Sequence, residues 1–99
     1  MYKPLDPLLH SQLRLAIMSL LIGLQEAEFT YLKEKTESSA GNLSVQIDKL
    51  KQAGYIKVKK KFRDNYPLTI CSITTKGEEA FEQYVTDLKQ YLEPKKEAG

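Results

Sequence analysis

The chain has no tryptophan, a single cysteine and a single histidine in 99 residues. One thiol, Cys71, excludes an internal disulfide and gives no argument for an oxidising compartment. It stands beside Ile70 and Ile73 in an apolar run and reads as a small buried hydrophobe. A redox switch would instead require an exposed thiolate with cationic neighbours. One imidazole, His10, cannot build a transition-metal site without cysteine or carboxylate partners at workable spacing. Capping or packing is its expected role, and no metal or cofactor is expected. Long apolar runs are missing as well, none approaching the roughly 20 residues that span a bilayer. The start, Met1-Tyr2-Lys3-Pro4-Leu5-Asp6-Pro7, lacks the basic, apolar, small-residue order of a secretory signal. These absences point to a soluble cytoplasmic protein with no membrane partner. Also missing are a phosphate-cradling glycine loop, a Ser/His/Asp set and paired carboxylates in an apolar setting, which argues against an enzyme.

What is present fits one compact domain over residues 1–99. A core this small often gains stability by pairing with a second copy. Net charge is only +2, but it is unevenly spread. Residues 49–63 carry seven basic side chains (Lys49, Lys51, Lys57, Lys59, Lys60, Lys61, Arg63) and no acidic one, against eight basic and thirteen acidic elsewhere. Such a patch on an acidic body suits a phosphate backbone. It also suits a solvated lysine-rich hairpin that protects a sheet edge, and charge alone does not separate the two.

Periodicity places a first helix over about residues 8–24. Leu13, Ile17, Leu20 and Leu24 form one apolar stripe, and Leu15, Met18 and Ile22 lie on the opposite side. A helix apolar on two faces must be covered on both, one by the core and the other by a partner subunit. After an acidic connection, two short helices occupy about 30–53. Ser38 and Ser39 suit the N-cap of the second, Leu43, Ile47 and Leu50 its buried stripe, and Gly54 the left-handed position after it. A wing over about 55–73 follows, with Ile56-Lys57-Val58-Lys59 alternating at strand period and Arg63-Asp64-Asn65-Tyr66-Pro67 as its turn. Thr75 and Glu78 have capping-box spacing for a last helix over about 75–93, and 94–99 read as a fraying tail. The predicted class is mainly α with a small β-hairpin, ordered α-α-α-β-β-α, the plan of a winged helix-turn-helix.

Particular runs strengthen that reading. Phe29-Thr30-Tyr31-Leu32-Lys33-Glu34-Lys35 through Ser39-Ala40-Gly41-Asn42-Leu43-Ser44 resembles the helix-turn-helix of bacterial and archaeal winged-helix regulators. Ile47-Asp48-Lys49-Leu50-Lys51-Gln52-Ala53-Gly54-Tyr55-Ile56 resembles the passage from recognition helix to wing in the MarR and ArsR groups. Ile73-Thr74-Thr75-Lys76-Gly77-Glu78-Glu79-Ala80-Phe81 is similar to the wing-to-helix junction of MarR-like proteins. His10-Ser11-Gln12-Leu13-Arg14-Leu15-Ala16-Ile17-Met18 is similar to the first helix of a compact single-domain subgroup. The resemblance spans about residues 8–92. It implies a homodimeric transcriptional regulator on a near-palindromic double-stranded DNA operator. It places any small-molecule effector, whose existence is unknown, in the groove between the dimer helices and the winged body.

With Leu43, Ile47 and Leu50 turned inward, the opposite arc of the recognition helix holds Gly41, Asn42, Val45, Asp48, Lys49 and Gln52, with Ser44 and Gln46 at its margins. Asn42 and Gln46 can each pair bidentately with adenine, and Val45 can pack on a thymine methyl. Ser39 and Ser44 suit phosphate oxygens at the helix N-terminus, although Asn42 and Ser44 are also simply good first-turn residues. Asp48 is expected to pair with Lys49, Lys51 or Lys57, or to read a cytosine amino group. Lys59, Lys60, Lys61 and Arg63 could clamp the backbone, but alternation puts Lys59 and Lys61 on one face and Lys60 on another. All four are therefore not expected to touch DNA, and Lys59, Lys61 and Arg63 are the chosen candidates; Arg63 or Asn65 could enter the minor groove. Leu15, Met18, Ile22, Phe81, Tyr84, Leu88 and Tyr91 are the candidate dimer interface. The tyrosines read as core and interface fillers, with Tyr66 a possible exception at the wing tip. A winged-helix adaptor that binds protein and not DNA is the alternative, and RNA binding a third, weakened by the lack of clustered aromatics on a strand face.

Overall fold

The Asp6 carboxylate accepts the Leu8 amide at 2.9 Å, while its backbone carbonyl takes the Leu9 and His10 amides at 3.1 and 2.9 Å. The chain therefore turns where the periodicity had suggested a helix start. In this computed structural model, which describes residues 2–93, Ser11 is extended and helix α1 begins one residue later, spanning Gln12–Leu24. Leu9, in the turn, is fully buried. The tail expected over 94–99 lies outside the described residues. No helix among the described residues is long and apolar enough to cross a membrane.

Ile17, Met18 and Leu21 are the buried side of α1. The true core direction thus falls between the two expected stripes. Met18, assigned to a partner interface, is a core residue with no exposed surface. Leu24, assigned to the core, is 48% exposed.

The acidic connection after α1 is a strand, β1 (Glu26–Glu28). Three residues with two carboxylates carry no strand signal of their own. They become a strand because a free edge is offered to them: Glu26, Ala27 and Glu28 pair antiparallel with Ser72, Cys71 and Ile70. Helix α2 (Phe29–Thr36) follows at once and ends at Glu37 in the left-handed region, φ 54°. The Thr36 hydroxyl bonds back to the Leu32 carbonyl at 2.6 Å and meets the Ser38 hydroxyl at 2.8 Å. Ser39 then caps α3 (Ala40–Gln52), its Oγ accepting the Asn42 amide at 3.1 Å. Leu43, Ile47 and Leu50 are its buried face, as the spacing requires.

Gly54 stands at φ 81° and turns the chain into strand β2 (Ile56–Arg63), paired with β3 (Tyr66–Ile73). Asp64 and Asn65, at φ 49° and 69°, form the two-residue turn between them. Positive φ at both central residues matches the right-handed twist of the strands. The sheet order is β1-β3-β2, so the expected hairpin is two strands of a three-stranded sheet. Helix α4 (Thr75–Leu92) closes the fold. Its cap is Thr74, whose Oγ1 accepts the Gly77 amide at 3.0 Å, one residue before the capping box expected at Thr75.

Tyr55 joins the end of α3 to the start of α4. Its amide donates to Leu50, its carbonyl accepts the Thr74 amide, and its hydroxyl donates to Asp6 at 2.6 Å. Helix α4 comes so close here that a Cβ on Gly77 would overlap the Tyr55 carbonyl oxygen. Burial raises the Tyr55 hydroxyl to a pKa of about 12, with the Asp6 carboxylate adding to the effect. On the sheet's inner face Cys71 has no exposed surface, and burial raises its thiol to a pKa of about 11.

Gly77→Ala should destabilise the fold by about 1–3 kcal/mol, since backbone must move to admit the methyl, and a urea unfolding midpoint measures this. The two raised pKa values predict an alkaline loss of stability. Both groups stay protonated in the fold while the unfolded chain releases their protons first. Stability is therefore level below about pH 9 and falls as pH rises through about 9–11 for the thiol, with Tyr55 extending the loss toward 12. Unfolding midpoints across that range should drop for the wild type and drop less for Cys71→Ala and Tyr55→Phe.

Candidate nucleic-acid interface

The solvent side of α3 carries Gly41, Asn42, Ser44, Val45, Asp48, Lys49 and Gln52, all exposed, with Val45 at 51%. One exposed apolar side chain is ordinary on a protein surface; here it stands among the polar side chains of the same helix face. Gly41 has nothing within 4 Å of where a Cβ would stand, which leaves the backbone of the first turn approachable. The Ser39 hydroxyl is taken up by the cap. Gln46 is half-buried and internally bonded at both ends: Arg14 of α1 donates to its Oε1, and its Nε2 donates to Asn42 Oδ1 at 3.1 Å. Asp48 was expected to pair with a lysine. Its Oδ2 instead accepts the Gln52 amide one turn on, at 2.6 Å, which turns the carboxylate along the helix.

The wing has two faces of different character. Strand register puts Ile56, Val58, Lys60 and Phe62 on one face, opposite Ile73, Cys71, Thr69 and Pro67. Ile56 and Cys71 point into the core, so this face looks toward α3. A groove between them is lined by Phe29, Ser44, Ile47, Asp48, Lys51, Val58, Lys60 and Thr69. Lys59, Lys61 and Arg63 share the other face, opposite Ile70, Leu68 and Tyr66, where Glu26 and Glu28 also lie. The expected alternation is present, but the lysine set apart from the clamp, Lys60, is the one facing α3. Arg63 approaches Glu28 at 3.9 Å, an exposed ion pair of small energetic consequence. It lines a second groove with Leu24, Tyr31 and Ile70. Asn65 is exposed at the turn.

Lys51 and Lys60, counted in the basic segment but not chosen as contacts, and Thr69, not considered, are thus among the groups that line the groove beside α3, although continuing the Ile56 and Val58 alternation by one step reaches Lys60. Phe62 was also passed over. It is 78% exposed near the wing tip, with Tyr66 at 74% on the opposite face. Among the described residues no group of three or more His, Cys, Asp or Glu could hold a metal ion.

The expected partner-facing residues divide. Tyr84 is 4% exposed, its hydroxyl 3.0 Å from His10 Nδ1, and like Met18 it belongs to the core of the single chain. His10 accordingly packs and bonds. Leu15, Phe81 and Leu88 are half-buried against that core, and Ile22 is half-exposed. Tyr91 stacks on Tyr2 with ring centres 4.6 Å apart. Val85 at 37% and Leu92 at 70% exposure extend the Phe81 and Leu88 row along α4.

Comparison with known proteins gives this geometry a context. Residues 13–92 match the family described as winged helix DNA-binding domain. An uncharacterized protein of Methanocaldococcus jannaschii is 40% identical over 81 residues, covering 82% of this chain and 88% of that one. The transcriptional regulator homologue protein of Pyrococcus horikoshii OT3 superposes with a TM-score of 0.81 at 29% identity, covering 86% of this chain and 84% of the other. A mutant of MarR from E. coli, solved in complex with operator DNA, superposes with a TM-score of 0.72 over 87% of this chain and 61% of the other. Its identity is 20%, so that likeness is one of fold. With the match covering all four helices and the sheet, the chain belongs to the winged helix DNA-binding domain family.

Proposed function

We propose that this domain is a homodimeric, sequence-specific transcriptional regulator that represses by occupying a near-palindromic operator. Helix α3 enters the major groove, and the wing lies on the adjoining backbone. The observation that carries the reading is the groove between α3 and β2, where Lys51 and Lys60 flank Ser44 and Thr69. Two ammonium groups and two hydroxyls along one concave surface complement phosphate oxygens. The carboxylate in that groove, Asp48, is engaged by Gln52. Gly41, Asn42, Val45 and Lys49 face the bases, with the Ser39 turn near the backbone. Lys59, Lys61, Arg63 and Asn65 act from the far face and the tip of the wing, chiefly by raising the local potential. A dimer places two such surfaces on the two halves of a palindrome. Its seam is the row Phe81, Val85, Leu88 and Leu92 on α4, spaced at helical intervals and left partly uncovered by the single chain.

A salt titration of DNA affinity tests the interface. Lys51→Ala and Lys60→Ala should each flatten the slope of log K against log salt by roughly 0.9 on any duplex, whereas Lys59→Ala and Lys61→Ala should change it much less. A wild type without salt dependence would sink the DNA reading. The exposed Phe62 and Tyr66 would then favour a protein-binding adaptor. The dimer is tested separately by Val85→Glu, which places a charge in the seam without touching the core. Sedimentation should show dimer association weakened at least about tenfold, toward monomer, with the thermal midpoint of the monomer fold retained. An unchanged sedimentation coefficient would move the seam elsewhere.

A further inference from the structure

Arginine has only N–H groups to offer, so whatever it bonds must accept. The Arg14 Nε–H donates to the Leu8 carbonyl at 2.6 Å, which anchors the guanidinium on the turn before α1. Its Nη1 then reaches Gln46 on α3. Gln46 has no choice of orientation there: Oε1 must face Arg14, so Nε2 faces away. Nε2 donates to Asn42 one turn back, at 3.1 Å, and this fixes the second amide, whose Oδ1 must accept. The Asn42 backbone amide is already bonded to Ser39. Both amide carbonyls of the pair are therefore engaged along the protein surface. What the pair turns outward is N–H, two on Asn42 Nδ2 and one remaining on Gln46 Nε2.

We infer that Arg14 is a positioning residue that sets the polarity of the Asn42–Gln46 readout, making it a donor surface for guanine. The inference rests on the DNA-binding reading and names which base edge α3 selects. A free asparagine or glutamine pairs with adenine by presenting one acceptor and one donor together, whereas guanine shows two acceptors, N7 and O6, in the major groove. With Oδ1 turned along the helix and one of its two lone pairs taken by Gln46, the acceptor half of the adenine pairing is disfavoured, while both Nδ2 hydrogens stay available for the two acceptors of guanine. The adenine preference expected from the two side chains taken alone is reversed by a residue on another helix.

The test uses the full chain and a pool of randomised duplexes. Selection with the wild type defines the preferred site, and the position that stops mattering in Asn42→Ala is the base pair read by the pair. Anisotropy titrations then compare guanine, 7-deazaguanine and adenine at that position. Wild type should favour guanine over adenine by roughly tenfold, the scale of one good bidentate contact, and should weaken with 7-deazaguanine. Arg14→Met should compress that ratio to within about twofold while preferences at other positions persist, which loss of fold would not allow. Arg14→Lys, also a pure donor, should retain it. Gln46→Glu offers Asn42 a carboxylate, so Nδ2 should turn inward, Oδ1 outward, and the preference should move to the amino groups of cytosine or adenine. A wild-type preference for adenine there, or a guanine preference indifferent to both Arg14→Met and Gln46→Glu, overturns the inference and leaves the DNA reading standing. No enrichment of any duplex, with no salt dependence, removes both.

Discussion

Tyr55 holds three parts of the molecule in a fixed relation, two through its backbone and one through its hydroxyl. Its amide finishes α3, its carbonyl receives the residue that caps α4, and its hydroxyl holds the turn at Asp6. The contact is possible because residue 77 has no side chain; any Cβ would overlap that carbonyl. The angle between the helix proposed to read DNA and the helix proposed to dimerise is thus set by backbone hydrogen bonds over a few residues. A repacking of flexible side chains would hold it less firmly. In the proposed dimer, which would match two half-sites at once, that angle and the span between them are one quantity.

Electrostatics works on top of this frame through strand alternation. Seven basic side chains in one segment look like a single patch in the sequence, but the pleat divides those of the wing between two faces. Lys60 and the neighbouring Lys51 enclose the groove beside α3. The other wing cations share their face with Glu26 and Glu28. The groove beside α3 thus combines two lysines with a carboxylate turned along the helix, and the acidic strand tempers the more numerous cations of the other face.

Much of the fold was legible because local physics and tertiary packing agreed. The Leu43, Ile47, Leu50 stripe, the Ser39 cap, the left-handed Gly54 and the alternation after Ile56 each survive into the structure. What was illegible depended on distant partners. Glu26–Glu28 is a strand only because β3 has an edge to fill, and nothing in Glu-Ala-Glu announces it. Helix α1 is apolar nearly all round, so periodicity alone could not choose between its stripes. Contacts from the rest of the chain decided for Ile17, Met18 and Leu21. The site divided in the same way. Exposure of Asn42 and Val45 followed from the helical wheel. The engagement of Gln46 by Arg14, across 32 positions of sequence, did not.

The two ends of the sheet also differ in how they can form. Strands β2 and β3 are neighbours across a two-residue turn, so their pairing closes the shortest of loops. Strand β1 must find β3 across the whole helix-turn-helix and the wing, a closure whose entropy is committed before any contact rewards it. The wing can therefore form as a local hairpin, while the pairing of β1 carries the larger closure cost, which packing of α2 and α3 reduces. Without β1 the inner edge of β3, with its Cys71, is left unpaired. The acidic strand that occupies this edge in the finished fold is what removes it as a template for other chains.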